Sequence, residues 1–368
     1  MLRNVYTLPE YPCKRDLWDE LSAETRPIVV YGMGNGADKL IARFEKYGIE
    51  IADFFASDGF VRGHEFHGKR VKSFSEIKAE YDDFIIVLSF ASSRPEVLTM
   101  LSEINLNYEM YIPDMPVAGE EYFDKDFYNS HYEDVRKAYG VLSDDRSKNI
   151  FAAIINYKLT GKMEYLEGAY SDRNEMYSLI SKRCVKTYVD AGAYNGDTLR
   201  EAVGVYADLK RAYLIEPDQR NYKKLEKYVE NLEQIEVKLY NAAAWSESGT
   251  GCFSTSGNRN SSVNSTKSYQ NKITEIPLVS IDEIADVEVD YIKYDVEGAE
   301  YEALLGTDRV IKKYSPTLLV SLYHRSKDIF FLINYLAERY RDVYEFSLFR
   351  LRCVPAWEIN LVAYLKNA

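Results

Sequence analysis

The stretch Thr187-Tyr188-Val189-Asp190-Ala191-Gly192-Ala193-Tyr194-Asn195-Gly196-Asp197-Thr198 constrains this chain more than any other. It reads as a buried strand ending at Asp190, then a tight glycine turn, then the start of a helix. Gly192 has no Cβ and accepts positive φ, so the backbone there can lie against a ligand. Gly196-Asp197-Thr198 falls where a helix begins, and the free N–H groups of a helix start favour negative charge. Such a unit is one half of a doubly wound sheet, whose ligands lie beyond the carboxyl ends of the strands.

The next strand narrows the ligand. Arg211-Ala212-Tyr213-Leu214-Ile215-Glu216 ends in an acid where an adenosine ligand offers its ribose hydroxyls. NAD and S-adenosylmethionine (SAM) both fit that geometry. A NAD turn requires G-x-G-x-x-G, whereas this turn is D-x-G-x-x-x-G-D, with Asp190 and Asp197 available to a cationic methionine end. SAM is therefore the expected cofactor, with Asp190, Gly192, Tyr194, Asn195, Asp197 and Glu216 as its candidate residues. A third strand, Glu236 to Asn241, places the Asn241 amide beside the adenine.

A second loaded stretch follows at Asp290-Tyr291-Ile292-Lys293-Tyr294-Asp295-Val296-Glu297-Gly298-Ala299-Glu300. A strand ending at Asp295 brings Asp295 and Glu297 to the same edge as Asp190 and Glu216, so Asp295 borders both cofactor and acceptor. The strand Thr317–Tyr323 delivers His324 there, and a histidine just past a strand end can act as a general base. Asp295 and His324 are the candidate catalytic residues, and Glu297 a candidate acceptor contact. Acids at the strand ending in Asp295 could hold Mg²⁺ with a diol substrate, yet three carboxylates at a SAM site need no metal, and His64, His67 and His131 show no ligand spacing, so a metal is the lesser option and none is expected. The polar segment Gly249–Ser268 reads as a surface excursion or a substrate lid, with Arg259, Asn260, Ser261 and Ser262 nearest the acceptor.

Upstream, Pro27-Ile28-Val29-Val30-Tyr31 precedes Gly32-Met33-Gly34-Asn35-Gly36-Ala37 and an amphipathic helix, the G-x-G-x-x-A form of the dinucleotide turn. With strands at Ile51–Asp58, Phe84–Ser89 and Met110–Ile112, this makes a small doubly wound unit. A strand-to-helix turn that binds nothing reads the same way. Residues 119–183 carry helical spacing with little strand signal. The expected class is thus α/β: a Rossmann-like domain over 1–118, its first 25 residues a short helical lead-in, a helical bridge over 119–183, and a second Rossmann-like domain over 184–368 whose sheet closes with an antiparallel strand.

Composition excludes some partners. Lys and Arg number 46 against 58 Asp and Glu, a net charge of -12, which argues against a nucleic-acid ligand. The four cysteines are scattered with no C-x-x-C pair, and no apolar run reaches membrane-span length. The start shows no signal-peptide core, so a cytoplasmic protein is expected. A homodimer is kept as an option.

The segments Val189–Thr198, Ile215-Glu216-Pro217, Ile292–Glu300 and Ser321-Leu322-Tyr323-His324 together resemble the FkbM-type SAM-dependent methyltransferases, from about residue 183 to the end. The K-x-D-V-E-G-x-E segment is the most specific part. That resemblance implies O-methylation of a hydroxyl, often on a sugar of a polysaccharide, glycolipid or natural product, with Asp190, Gly192, Asp197 and Glu216 on cofactor positions. Asp295, Glu297 and His324 then fall near the acceptor. The order Gly32-x-Gly34, Asp53 to Asp58 and Gly63 to Val71 is similar to the N-terminal domain of bacterial sugar acetyltransferases. This likeness implies that Gly32, Gly34 and Gly36 face the diphosphate of a nucleotide-linked sugar. Two other classes stay open: a non-catalytic sugar-nucleotide-binding module on a methyltransferase fold, and a NAD-dependent oxidoreductase using the Gly32 turn.

Overall fold

The computed structural model describes residues 4–61, 63–255, 262–263 and 272–366. The chain begins with an extended arm and one short helix, Leu17–Ser22, started by a reciprocal capping box between Asp16 and Asp19. The expected helical lead-in is thus confined to those residues. The first sheet contains β1 (Ile28–Tyr31), β2 (Asp53–Ala56), β3 (Lys72–Ser73), β4 (Ile85–Leu88) and β5 (Met110–Tyr111). Its order is β3-β2-β1-β4-β5 and every pairing is parallel. The runs Ile-Val-Val-Tyr and Ile-Ile-Val-Leu are apolar throughout because strands of a parallel sheet are covered on both faces. Between β1 and β2 runs α1 (Asn35–Tyr47), stopped by Gly48 in the left-handed region at φ 64.

Helices fill residues 125–180, the longest being α2 (Asp145–Thr160). Asp144 caps its start by accepting from the Ser147 N–H, and Gly161 at φ 65 ends it. Six consecutive residues of α2, Ile150 to Ile155, are buried, which is the mark of a helix surrounded by protein rather than lying on a surface. One apolar core accordingly runs from Val29 and Ile86 through Phe151 and Ile154 to Ile292 and Val320. Buried Lys158, from the same helix, is paired with Asp114 at 2.6 Å.

The second sheet contains β6 (Thr187–Ala191), β7 (Arg211–Ile215), β8 (Glu236–Tyr240), β9 (Tyr291–Tyr294), β10 (Thr317–Ser321), β11 (Tyr344–Arg350) and β12 (Ile359–Leu365). The order is β8-β7-β6-β9-β10-β12-β11, with β12 antiparallel to both neighbours. Two doubly wound sheets with an antiparallel closing strand are therefore what the chain forms. After β6 comes α3 (Asp197–Val205). No helix among the described residues is long and apolar enough to cross a membrane.

The segment read as a polar excursion is partly a strand. Gly249–Thr255 pairs antiparallel with Lys272–Val279, and Ala243–Ala244 adds in parallel. Its own glycines and serines give little strand signal, and the pairing is supplied by the β-branched run Ile273-Thr274-Glu275-Ile276 opposite. Ser262 lies in a two-residue strand beside Phe253 and Ser254, while Arg259, Asn260 and Ser261 lie outside the described residues.

Candidate active site

A cavity of about 440 Å³ opens at the carboxyl edge of the second sheet. Its shape begins with the turn after β6. Gly192 sits at φ 91, and a Cβ there would come within 1.9 Å of the Asp295 carbonyl oxygen, so the turn packs directly on the exit of β9. Tyr194 follows at φ 48 and donates its N–H to Glu216 Oε2 at 2.8 Å. The other oxygen of Glu216 accepts from the Asp218 N–H at 2.9 Å. Burial pushes the Glu216 carboxyl up to about 7, against the pull of those two amides, with Asp218 and Asp190 adding to the rise. Asn241 stands behind this corner, donating to the carbonyls of Glu216 at 2.9 Å and Pro217 at 3.3 Å. It braces the turn and does not line the cavity.

Asp190 holds a different place from the one read for it. It is 0 % exposed, and its carboxylate accepts from the Thr198 hydroxyl and from Lys293 Nζ, the latter at 3.2 Å. Burial raises its pKa, and the Lys293 charge pulls it back. Lys293 also donates to the Gly192 carbonyl at 3.1 Å and lies 3.6 Å from Asp295 Oδ2. Burial opposes the charge of Lys293, yet the Asp190 and Asp295 carboxylates outweigh it and raise its pKa. Asp190 thus ties the glycine turn to β9 through a buried ion pair. Gly192, Tyr194, Asp197 and Glu216 line the cavity, whereas Asn195 turns aside toward Arg200.

Asp295, Glu297 and His324 meet at the other end. Glu297 takes the left-handed backbone at φ 55 and is followed by Gly298 at φ 95, a turn that carries the chain from β9 into the helix beginning at Glu300. Tyr323 donates to Asp295 Oδ1 at 2.9 Å. His324 is 2 % exposed, with Nδ1 at 2.8 Å from Glu300 Oε1 and Nε2 at 3.6 Å from Asp295 Oδ1. Burial disfavours its charge, but Glu300, Asp295 and Glu297 overcome that and push His324 up to about 10. Asp295 moves the opposite way: burial raises it, and Lys293 and His324 bring it below the usual carboxylate value.

Several lining residues went unassigned in the sequence. Lys293 was in plain view inside K-x-D-V-E-G. Arg173, Trp357, Glu358 and Asn360 arrive from distant segments, and no local pattern marks them. The first sheet contributes too. Ala91, Ser92 and Ser93, just after β4, and Val117 form part of the wall. Ser92 and Val354 exchange both backbone hydrogen bonds, at 2.7 and 3.0 Å, and the Ala118 N–H donates to the His324 carbonyl at 2.8 Å. The glycines of the first turn pack against the exit of β4. A Cβ on Gly32 would meet Ser89 Oγ at 2.7 Å, and one on Gly36 would meet the Ser89 carbonyl at 2.0 Å. Gly34, at φ 91, has open space beside it.

Comparison with known proteins bears on this arrangement. Residues 190–344 match the model of the methyltransferase FkbM domain. A methyltransferase FkbM from Methylobacillus flagellatus KT, 22 % identical, superposes with a TM-score of 0.66 over 92 % of this chain and 90 % of that one. An rRNA methylase from Streptococcus thermophilus, 11 % identical, matches 52 % of this chain and 94 % of its own with a TM-score of 0.36. A Streptococcus mutans protein solved in complex with SAH, 12 % identical, matches 53 % and 99 % with a TM-score of 0.35. A search of curated proteins finds no match. The enzyme class read from the sequence, a methyltransferase, is the one the family match supports: residues 190–344 match the FkbM methyltransferase domain, in a chain that shares its fold with a solved FkbM methyltransferase over 92 % of its length.

Proposed function

We propose that this enzyme uses SAM to methylate a hydroxyl of a sugar or glycan precursor. The observation that carries the reading is one cavity, in the region that matches the FkbM domain, lined both by Glu216 after β7 and by Asp295 after β9, with β6 between those strands. SAM supplies a methyl group on a positively charged sulfur, which leaves as a neutral thioether. The donor set suits it: carboxylates outnumber the cations Arg173, Lys293 and His324 around the cavity, an environment favourable to a sulfonium and an ammonium. Glu216 would hold the ribose hydroxyls, with Asp197 near the methionine end.

The chain's own work is alignment and proton removal. As the acceptor oxygen forms its bond to the methyl carbon, its proton passes to an acceptor group on the protein. Asp295, ionised and on the cavity wall, is the better candidate, since His324 is held protonated among three carboxylates. Tyr323 and Lys293 orient Asp295. An uncharged polyol suits this acid-rich wall, which supports a sugar hydroxyl as acceptor. A nucleotide-linked sugar would place its diphosphate toward the Gly32–Gly36 turn, beyond Ala91–Ser93. Cys13 and Cys184 are free thiols, as in a reducing cytoplasm.

Calorimetric titration with S-adenosylhomocysteine tests the cofactor. Micromolar binding is expected for the full chain, weakened at least about tenfold by Glu216→Ala, the loss of a charge-assisted pair. A folded protein that binds no S-adenosylhomocysteine would overturn the assignment.

A further inference from the structure

The acceptor end of the cavity carries more ligand chemistry than methyl transfer requires. Asp295, Glu300 and His324 each present a ligand atom, and these atoms lie within 4.8 Å of one another. From His324 Nε2 it is 3.6 Å to Asp295 Oδ1 and 3.9 Å to Glu297 Oε2. Both separations exceed a hydrogen bond. They approach the edge that two ligands span around a small divalent ion, about 3.0 to 3.4 Å for bonds of about 2.1 Å.

A separate observation points the same way. Glu300 is 1 % exposed, and its Oε2 has no hydrogen-bond donor, while its Oε1 faces His324 Nδ1 at 2.8 Å. The partnered oxygen of Glu300 accepts from the N–H groups of Val296 and Gly298, which fixes its orientation and leaves Oε2 without a partner. A buried carboxylate oxygen without a donor is costly. The surroundings deepen the deficit, because Asp328 and Glu358 add further carboxyls around His324.

We infer that Asp295, Glu300 and His324 form a divalent-cation site, with Glu297 at its rim, at the wall that Asp295 and His324 line, the ion displacing the proton that His324 otherwise holds. Carboxylate oxygens with one imidazole and no thiolate suit magnesium or manganese. A cation there would take an acceptor hydroxyl as a further ligand, fixing it in place and easing loss of its proton. This departs from the metal-free site expected from the sequence, and the cation site does not depend on which methyl donor is bound.

The test is manganese(II) titrated into the full chain, with the free-ion signal followed by electron paramagnetic resonance. One bound ion per chain is expected, with affinity falling at least about tenfold in Glu300→Gln and in Asp295→Asn. Asp286→Asn, which removes a surface carboxylate paired with Lys238, should leave it unchanged. Should Glu300→Gln fail to fold by circular dichroism, His324→Gln takes its place. A folded wild type that binds no ion, or a Glu300→Gln titration that overlays Asp286→Asn, overturns the site. Titrating S-adenosylhomocysteine into the same preparations separates the two readings. Its binding without manganese ends the cation site alone, and manganese without it ends the methyl-donor assignment alone.

Discussion

The two glycine turns of this chain differ little in pattern and much in surroundings. Each follows a buried parallel strand and opens a helix, and each has glycines whose missing Cβ lets a neighbouring strand exit approach: Ser89 in the first, Asp295 in the second. The difference lies in the acid on the adjoining strand. Asp58, after β2, accepts from the Ser75 N–H and hydroxyl and is taken up at the start of an exposed helix. Glu216, after β7, is 6 % exposed and faces the cavity. A glycine turn makes the space; the group standing opposite decides what that space can hold.

Substitution at the glycines should break this comparison most strongly. Gly192→Ala must push a Cβ into the Asp295 carbonyl and hold alanine at φ 91, so a loss of roughly 4 kcal/mol or failure to fold is expected. Gly34→Ala, at the same φ with ψ -158 and open space around it, should cost only about 1 to 3 kcal/mol. Urea denaturation of the two variants side by side decides it; equal losses would refute the packing account.

Next in size is Lys293→Met. It strands Asp190, fully enclosed, without its cation, and about 3 kcal/mol should be lost. Wild-type stability in this variant would mean that the ion pair does not brace the turn.

The smallest effect is a pH dependence that only the second turn should show. Glu216 is neutral below about 7 and ionised above it. An ionised carboxylate accepts ribose hydroxyls better, so S-adenosylhomocysteine affinity should climb as pH rises from 6 to 8, by up to roughly tenfold per unit below the midpoint. Glu216→Gln should flatten that slope. For folding the sign reverses: the native carboxyl keeps its proton between its ordinary value and about 7, so its contribution to stability falls as pH rises across that window.

How much of this was legible follows from range along the chain. Gly192, Glu216 and Asp295 could be read because strand, turn and acid are contiguous, and local periodicity carries them. The role of Asp190 could not, because its partner Lys293 lies 103 residues away. The same holds for Arg173 and Glu358, which reach the cavity from the helical segment and the closing hairpin. Gly249–Thr255 was hidden for a related reason, since its strand character comes from the partner it pairs with rather than from its own residues. His324 was found by its position past β10, but its charge is set by Glu300, Asp295 and Glu297 together.

The paired backbone bonds between Ser92 and Val354, with Ala118 bonded to His324, have a practical meaning for anyone reshaping this enzyme. The half that holds most of the cavity is not a cassette that can be lifted out, because part of its vessel is cast by the other half. Exchanging residues 89–118 with those of a relative would rebuild part of the cavity wall along with the first sheet.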